Sequence, residues 1–377
     1  MTRMPTASNP HVPAPHGYLA DIYTFDWKEL SFRIPLIGII AIGLCLFAGV
    51  LFGHPSAGLI AGGGAFTIGF GTNQRIADSR IWPMLAATLA MFLSTFIGML
   101  AGHRGLTLVL ASAIWGFVYG ILTARAAGIS WVGQQAAITL FVASAFPAGP
   151  RASLLRALLI LGGGALQILI TSLCLRLLPE LAANLRASRE ELILLLTDPA
   201  SSFSLPRLRK FSYGILNIPT FPYAVRMSIT VAIAAEIYRH LGVQSGYWIP
   251  MTALLVQKPV FSETFSRAFL RVGGTLAGAV ISTVFLVHIQ PNPLYLAAFT
   301  TFFALCSYAT NTVNYGLFTL FLTSYIVFLL SLNALPGPVI AHRRALCTIA
   351  GGVIALVIHL DTLRRLRERQ SPAPLPT

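Results

Sequence analysis

Arginines at the mouths of apolar stretches are the residues in this chain best suited to chemistry. The chemistry they suit is the binding of carboxylates or phosphates. Arg156-Ala157-Leu158 leads into Gly163-Gly164, and Arg344-Ala345-Leu346 leads into Gly351-Gly352, 188 residues later and without a gap. Arginine keeps its charge in any setting and grips an oxyanion with a planar fork. Of the 26 basic residues only Lys28, Lys210 and Lys258 are lysine, so nearly all the positive charge is of this kind. A single arginine more often marks a loop or a lipid headgroup than a ligand. Two at matching places in a repeated phrase need a further reason.

Other polar residues recur at helical spacing. Arg156, Gly163, Gln167, Thr171 and Cys174 fall on one face, and Arg344, Thr348, Gly351 and His359 repeat it more weakly. Gln134 and Gln135, and the series Thr300, Ser307, Asn311 and Asn314, are of the same type. Such faces either line a watery path or tie helices together, and both readings stand. Glu236 is the only acidic residue within an apolar stretch and lies three residues before Arg239. It is a candidate for proton coupling, with a local ion pair as the plainer alternative.

Enzyme chemistry has no foothold here. No HExxH, GxSxG or Walker sequence occurs, and Cys45, Cys174, Cys306 and Cys347 lie singly in apolar stretches. The expectation is a protein without cofactor or metal, not an enzyme, with no nucleic-acid partner and no ATP-driven cycle.

These side chains need elements to hold them, and the composition says which kind. Hydrophobic residues make up 55% and charged residues 10%, and mean hydropathy is +0.74. Soluble domains carry about 25% charged residues, so this chain cannot cover a water-facing surface of ordinary size. Apolar runs of membrane length predict an all-α membrane protein of twelve transmembrane helices. The first six lie near 34–53, 56–72, 82–101, 105–124, 128–147 and 155–178. The second six lie near 223–241, 246–262, 268–289, 294–310, 314–333 and 344–360.

The domain reading follows: an N-terminal segment 1–32, a first six-helix half 33–178, a linker 179–222, a second half 223–360 and a tail 361–377. Residues 181–196 of the linker have the pattern of a surface amphipathic helix or of a solvated connector. With the N-terminus inside, twenty Lys and Arg fall on the cytoplasmic side and six outside: Arg104, Arg151, Arg156, Arg239, Arg343 and Arg344. That asymmetry places both termini in the cytoplasm, with membrane lipids as the surrounding partner. An even number of helices per copy gives two repeats in the same orientation, with a path at their interface.

The run Gly246-Tyr247-Trp248-Ile249-Pro250-Met251-Thr252-Ala253, then Pro259, Thr264, Arg267 and Arg271-Val272-Gly273-Gly274-Thr275-Leu276-Ala277-Gly278, resembles the fusaric-acid-resistance-like proteins. That family includes the aromatic acid exporters of bacterial inner membranes; plant malate channels look like more distant relatives. The resemblance is strong over some 30 residues, and the duplicated layout fits the whole chain. It implies an inner-membrane exporter of small organic anions, chiefly aromatic carboxylic acids, with a periplasmic adaptor protein as partner. Homo-oligomerisation stays open. A passive anion channel and a non-transporting envelope-assembly protein are the alternatives.

Within that motif Arg267 and Arg271 share a face and would gather the carboxylate at the cytoplasmic mouth, with Lys258 nearby. Arg156 and Arg344 would meet it at the outer end. Tyr247 and Trp248 either anchor the chain at an interface or stack on an aromatic substrate. Three features depart from the family pattern. His54-Pro55 stands where the second half has Gly246-Tyr247-Trp248, Lys258 puts a charge beside Pro259, and only 179–222 separates the halves.

Overall fold

A computed structural model of the chain describes residues 20–76, 79–177, 179, 186, 220–242, 245–289, 292–333 and 336–370. Among these every regular element of length is helical. After a short helix Ala20–Tyr23 and a turn Trp27–Glu29 come α1 (Arg33–Leu51), α2 (Pro55–Gly69), α3 (Ile81–Ala101), α4 (Leu106–Leu122), α5 (Ala127–Ser144) and α6 (Pro150–Cys174). There follow α7 (Phe221–Leu241), α8 (Trp248–Val256), α9 (Phe261–Ile289), α10 (Pro293–Thr310), α11 (Tyr315–Ser331) and α12 (Gly337–Gln370).

Local chemistry sets these limits. Proline stands in the first turn of α2, α6, α7 and α10, where its missing N–H costs nothing. Asn292 caps α10 by accepting from the Tyr295 amide at 3.0 Å, and Asn314 caps α11 from the Gly316 and Leu317 amides at 2.8 and 3.2 Å. Gly242, at φ 57°, ends α7 in the left-handed conformation that a side chain disfavours.

One boundary overturns the expected span 246–262. α8 stops at Val256 after nine residues, and α9 starts at Phe261 rather than near 268. The cause is the Lys258-Pro259 bond: a residue before proline is pushed out of the helical region, and Gln257 is already extended at ψ 125°. α12 likewise starts earlier than expected, at Gly337.

Among the described residues six helices, α1, α3, α6, α9, α10 and α12, are long and apolar enough to cross a membrane, with α4 and α11 shorter but apolar. α2 and α8 are too short, at 15 and nine residues. α5 carries Ser130, Gln134 and Gln135, and α7 carries Arg226, Glu236 and Arg239, which lower their hydropathy. The outer faces are apolar: Leu36, Ile40 and Leu44 of α1 and Leu89 and Leu93 of α3 are exposed. The interior holds many hydroxyls, among them Thr88, Thr95, Thr230 and Thr300, each donating to the carbonyl four residues before it. Apolar outside and hydroxyl-rich inside is the arrangement lipid demands.

Packing runs as follows. α1 lies on α2 and α6, α2 on α6, α3 on α5 and α6, and α4 on α5; further along, α7 lies on α8 and α12, α8 on α12, α9 on α11 and α12, and α10 on α11. α4 against α7 and α1 against α10 join the two sets. Glycines set the closest approaches: Gly116 and Gly120 of α4 meet the backbone of α7, and Gly274 and Gly278 of α9 meet that of α11. The linker 179–222, apart from Arg186 and a few flanking residues, and the tail beyond 370 lie outside the described residues, as does most of the segment 181–196.

Candidate functional site

A cavity of about 920 Å³ runs between the helices, in the upper part of the range for small-molecule sites. α2, α5 and α11 supply most of its wall, with shorter stretches of α8 and α9 and single turns of α3 and α6. It extends from Tyr315, the first residue of α11, to Asn333, just past its last turn. At the helical rise that is ~25 Å.

Arg267 and Arg271 both reach the cavity from one face of α9. The Arg267 guanidinium lies 4.4 Å from the centre of the Tyr315 ring, and Arg271 donates to the Tyr315 hydroxyl at 3.5 Å. Asn311 to Asn314 and Thr24 line the same end. There the segment before α1 is tied to the α10–α11 turn: Asp26 N–H donates to the Val313 carbonyl at 3.0 Å and Asn314 Nδ2 to the Thr24 carbonyl at 2.9 Å.

Arg156 lines the opposite end, its guanidinium 4.0 Å from the centre of the Phe146 ring. Tyr247, Trp248, Ser56 and Asn333 also line the cavity, and Ser56 donates to Asn333 Oδ1 at 2.7 Å. Arg156, Arg267 and Arg271 are the charged side chains in the lining among the described residues. None of the three has a carboxylate within ion-pairing distance there.

Not every expected residue arrives. Arg344 is 1% exposed and does not line the cavity; it lies against Trp248, which does. Lys258 also stays out of the lining, and its backbone serves instead: Arg226 donates to the Lys258 and Pro259 carbonyls at 2.9 and 3.0 Å, pinning the break between α8 and α9 to α7. Glu236 is apart from the cavity, in a two-pronged pair with Arg239 at 2.6 and 2.8 Å and a contact with His240 at 2.8 Å. In the α6 stripe, Gln167 Nε2 donates to Thr171 Oγ1 at 3.1 Å and both are buried away from the cavity, so they bond to each other within α6 rather than line a path. Gln134, Gln135, Asn311 and Asn314 do line it, while Thr300 and Ser307 do not.

The aromatic wall escaped the reading of the sequence. Tyr315, Phe318, Leu322, Tyr325 and Leu329 face the cavity from α11, and Phe66 of α2 stacks on Tyr325 with centres 3.9 Å apart. The spacing of three and four along α11 was a visible signal, though in so apolar a helix every face looks alike.

Residues 231–358 match the family described as fusaric acid resistance protein-like. The chain is 33% identical over 143 residues to the uncharacterized protein ORF2 of Neisseria gonorrhoeae, covering 37% of this chain and 33% of that one. It is 33% identical over 151 residues to the uncharacterized protein YhfK of Escherichia coli, 40% of this chain and 21% of the relative. It is 27% identical over 122 residues to the uncharacterized transporter YdhK of the same species, 31% of this chain and 18% of the relative. The matched stretch thus spans between about a fifth and a third of these relatives. No solved structure matches the chain.

Proposed function

We propose, from the match of residues 231–358 to the fusaric acid resistance-like family, that this protein is a membrane transporter exporting small organic anions, aromatic carboxylates foremost, through its cavity. The observation that carries the reading is a cavity with arginines at both ends, aromatic rings between them and no acidic side chain in its described lining. An unpaired guanidinium in a dry setting favours an anionic occupant, and aromatic walls favour a flat apolar body.

Two like-oriented six-helix halves fit the packing. Most contacts within α1–α6 have a counterpart six helices on: α1·α2 with α7·α8, α2·α6 with α8·α12, α3·α5 with α9·α11. The offset holds at single residues. Gly163 abuts the Ala61 carbonyl, and Gly351 abuts the Ile249 carbonyl, both partners displaced by 188 residues. With the N-terminus inside, as the arginine distribution favours, the Arg267 and Arg271 end opens to the cytoplasm and the Arg156 end outward. In this orientation the chain sits in a bacterial inner membrane, and a periplasmic adaptor would meet the Arg156 end.

Uptake of labelled benzoate and related acids into inverted membrane vesicles, with and without a proton gradient, tests the proposal. Saturable uptake that Arg156→Ala plus Arg267→Ala, one lining arginine from each end, abolishes at normal expression is expected. Unchanged uptake in the double variant overturns the assignment. Uptake that follows the anion gradient alone would make the protein a passive channel.

A further inference from the structure

The two arginines of α9 create a charge problem that one carboxylate does not solve. Arg267 and Arg271 are one turn apart, and both engage the Tyr315 side chain, one over the ring and one at its hydroxyl. Tyr315 offers a ring face and a phenol hydroxyl, not a carboxylate. Arg271 is 2% exposed, its Nε has no partner, and its contact with the hydroxyl is at the long limit for a hydrogen bond. No carboxylate reaches either group among the described residues. Two like charges thus converge on one ring, in a wall whose only other described charge is again positive, Arg156.

Resting on the transport reading above, we infer that this end of the cavity is built for an organic dianion: one apolar body with two ionised groups, taken in preference to the monoanion of the same body. A planar guanidinium pairs best with an oxyanion of its own, through two parallel hydrogen bonds. A single carboxylate fills one fork and leaves the second cation buried and unbalanced, whereas two carboxylates neutralise both. Leu270 lies between the two arginines in α9 and Phe318 one turn beyond Tyr315 in α11, and both line the cavity where the apolar body would rest. Ser266, Gln74 and the Asn311–Asn314 turn add polar atoms to the same end.

The test uses the full chain in inverted vesicles with two labelled probes that share a ring, isophthalate and benzoate. The wild type should take up isophthalate with a kcat/KM at least about tenfold above that for benzoate, the scale expected when a desolvated charge pair is gained. Arg267→Gln and Arg271→Gln should each lower isophthalate uptake more than benzoate uptake, bringing that ratio close to one. Should Arg271→Gln fail to fold, Arg267→Gln carries the comparison, because its side chain is less buried. Equal or preferred uptake of benzoate by the wild type overturns the dianion inference and leaves the transport reading standing. An undiminished ratio in Arg267→Gln also overturns it. If folded protein moves neither probe, both readings fall.

Discussion

Arg344 lays its guanidinium on the Trp248 ring, 5.1 Å from its centre, and that tryptophan itself lines the cavity while Arg344 does not. The Arg344 Nε donates to Thr323 Oγ1 at 3.3 Å, and both terminal nitrogens lack a partner. An arginine at the matching place in the first half, Arg156, faces the cavity directly. One repeated phrase thus has two environments: Arg344 is held against Trp248 and Thr323, and Arg156 faces the cavity.

This isolation has a consequence for stability. A buried ion that lacks a counter-charge bears its desolvation cost uncompensated, so an apolar side chain of like volume in its place relieves that cost. Arg344→Met should therefore leave the detergent-solubilised protein as heat-stable as the wild type, or more so. A clear fall in melting temperature would mean that an anion or a lipid group holds Arg344 in place.

Close backbone contacts predict position-specific effects of a single methyl group. A Cβ on Gly351 would stand 2.5 Å from the Ile249 carbonyl oxygen, and one on Gly163 would meet the Ala61 carbonyl, whereas Gly162 has open space. Gly351→Ala and Gly163→Ala should each cost about 1–3 kcal/mol, the range for overpacking. Gly162→Ala should be neutral in the same thermal melts. Equal effects at all three would contradict this packing of α6 on α2 and α12 on α8.

Tyr308 of α10 ties the first set of helices to the second. Its hydroxyl donates to the Phe66 carbonyl of α2 at 2.6 Å, and its ring stacks on Phe66 with centres 5.2 Å apart. Tyr308→Phe keeps the stacking and loses the hydrogen bond, so it should cost about 1 kcal/mol. Tyr308→Ala should cost about 3–5 kcal/mol by adding a cavity. Chemical denaturation of both variants measures the difference.

Glu236 makes a contrary prediction for proton coupling. Its carboxylate is engaged by Arg239 and His240 at one end of α7, apart from the cavity. Glu236→Gln should leave anion uptake and its pH profile unchanged in vesicles. A displaced profile would return Glu236 to the transport cycle.

The sequence by itself determined that the chain is helical and membrane-embedded, because lipid requires every backbone group to bond within its own apolar helix. Prolines in the first turns of α2, α6, α7 and α10 and glycines after α3 and α7 were readable as local end signals; the repeated phrase pointed to Arg156 and the motif to Arg267 and Arg271. The shortness of α8 was legible in Lys258-Pro259 but outweighed by the continuous apolar run before it. Which arginine reaches the cavity was decided only by the tertiary structure. Arg156 and Arg344 head the same local phrase, and neither local sequence states that Trp248 will lie against one of them. Periodicity assigns a residue to a face of its helix; what that face meets depends on the rotation of each helix against its neighbours, set by close contacts such as Gly351 on Ile249, 102 residues apart in the chain.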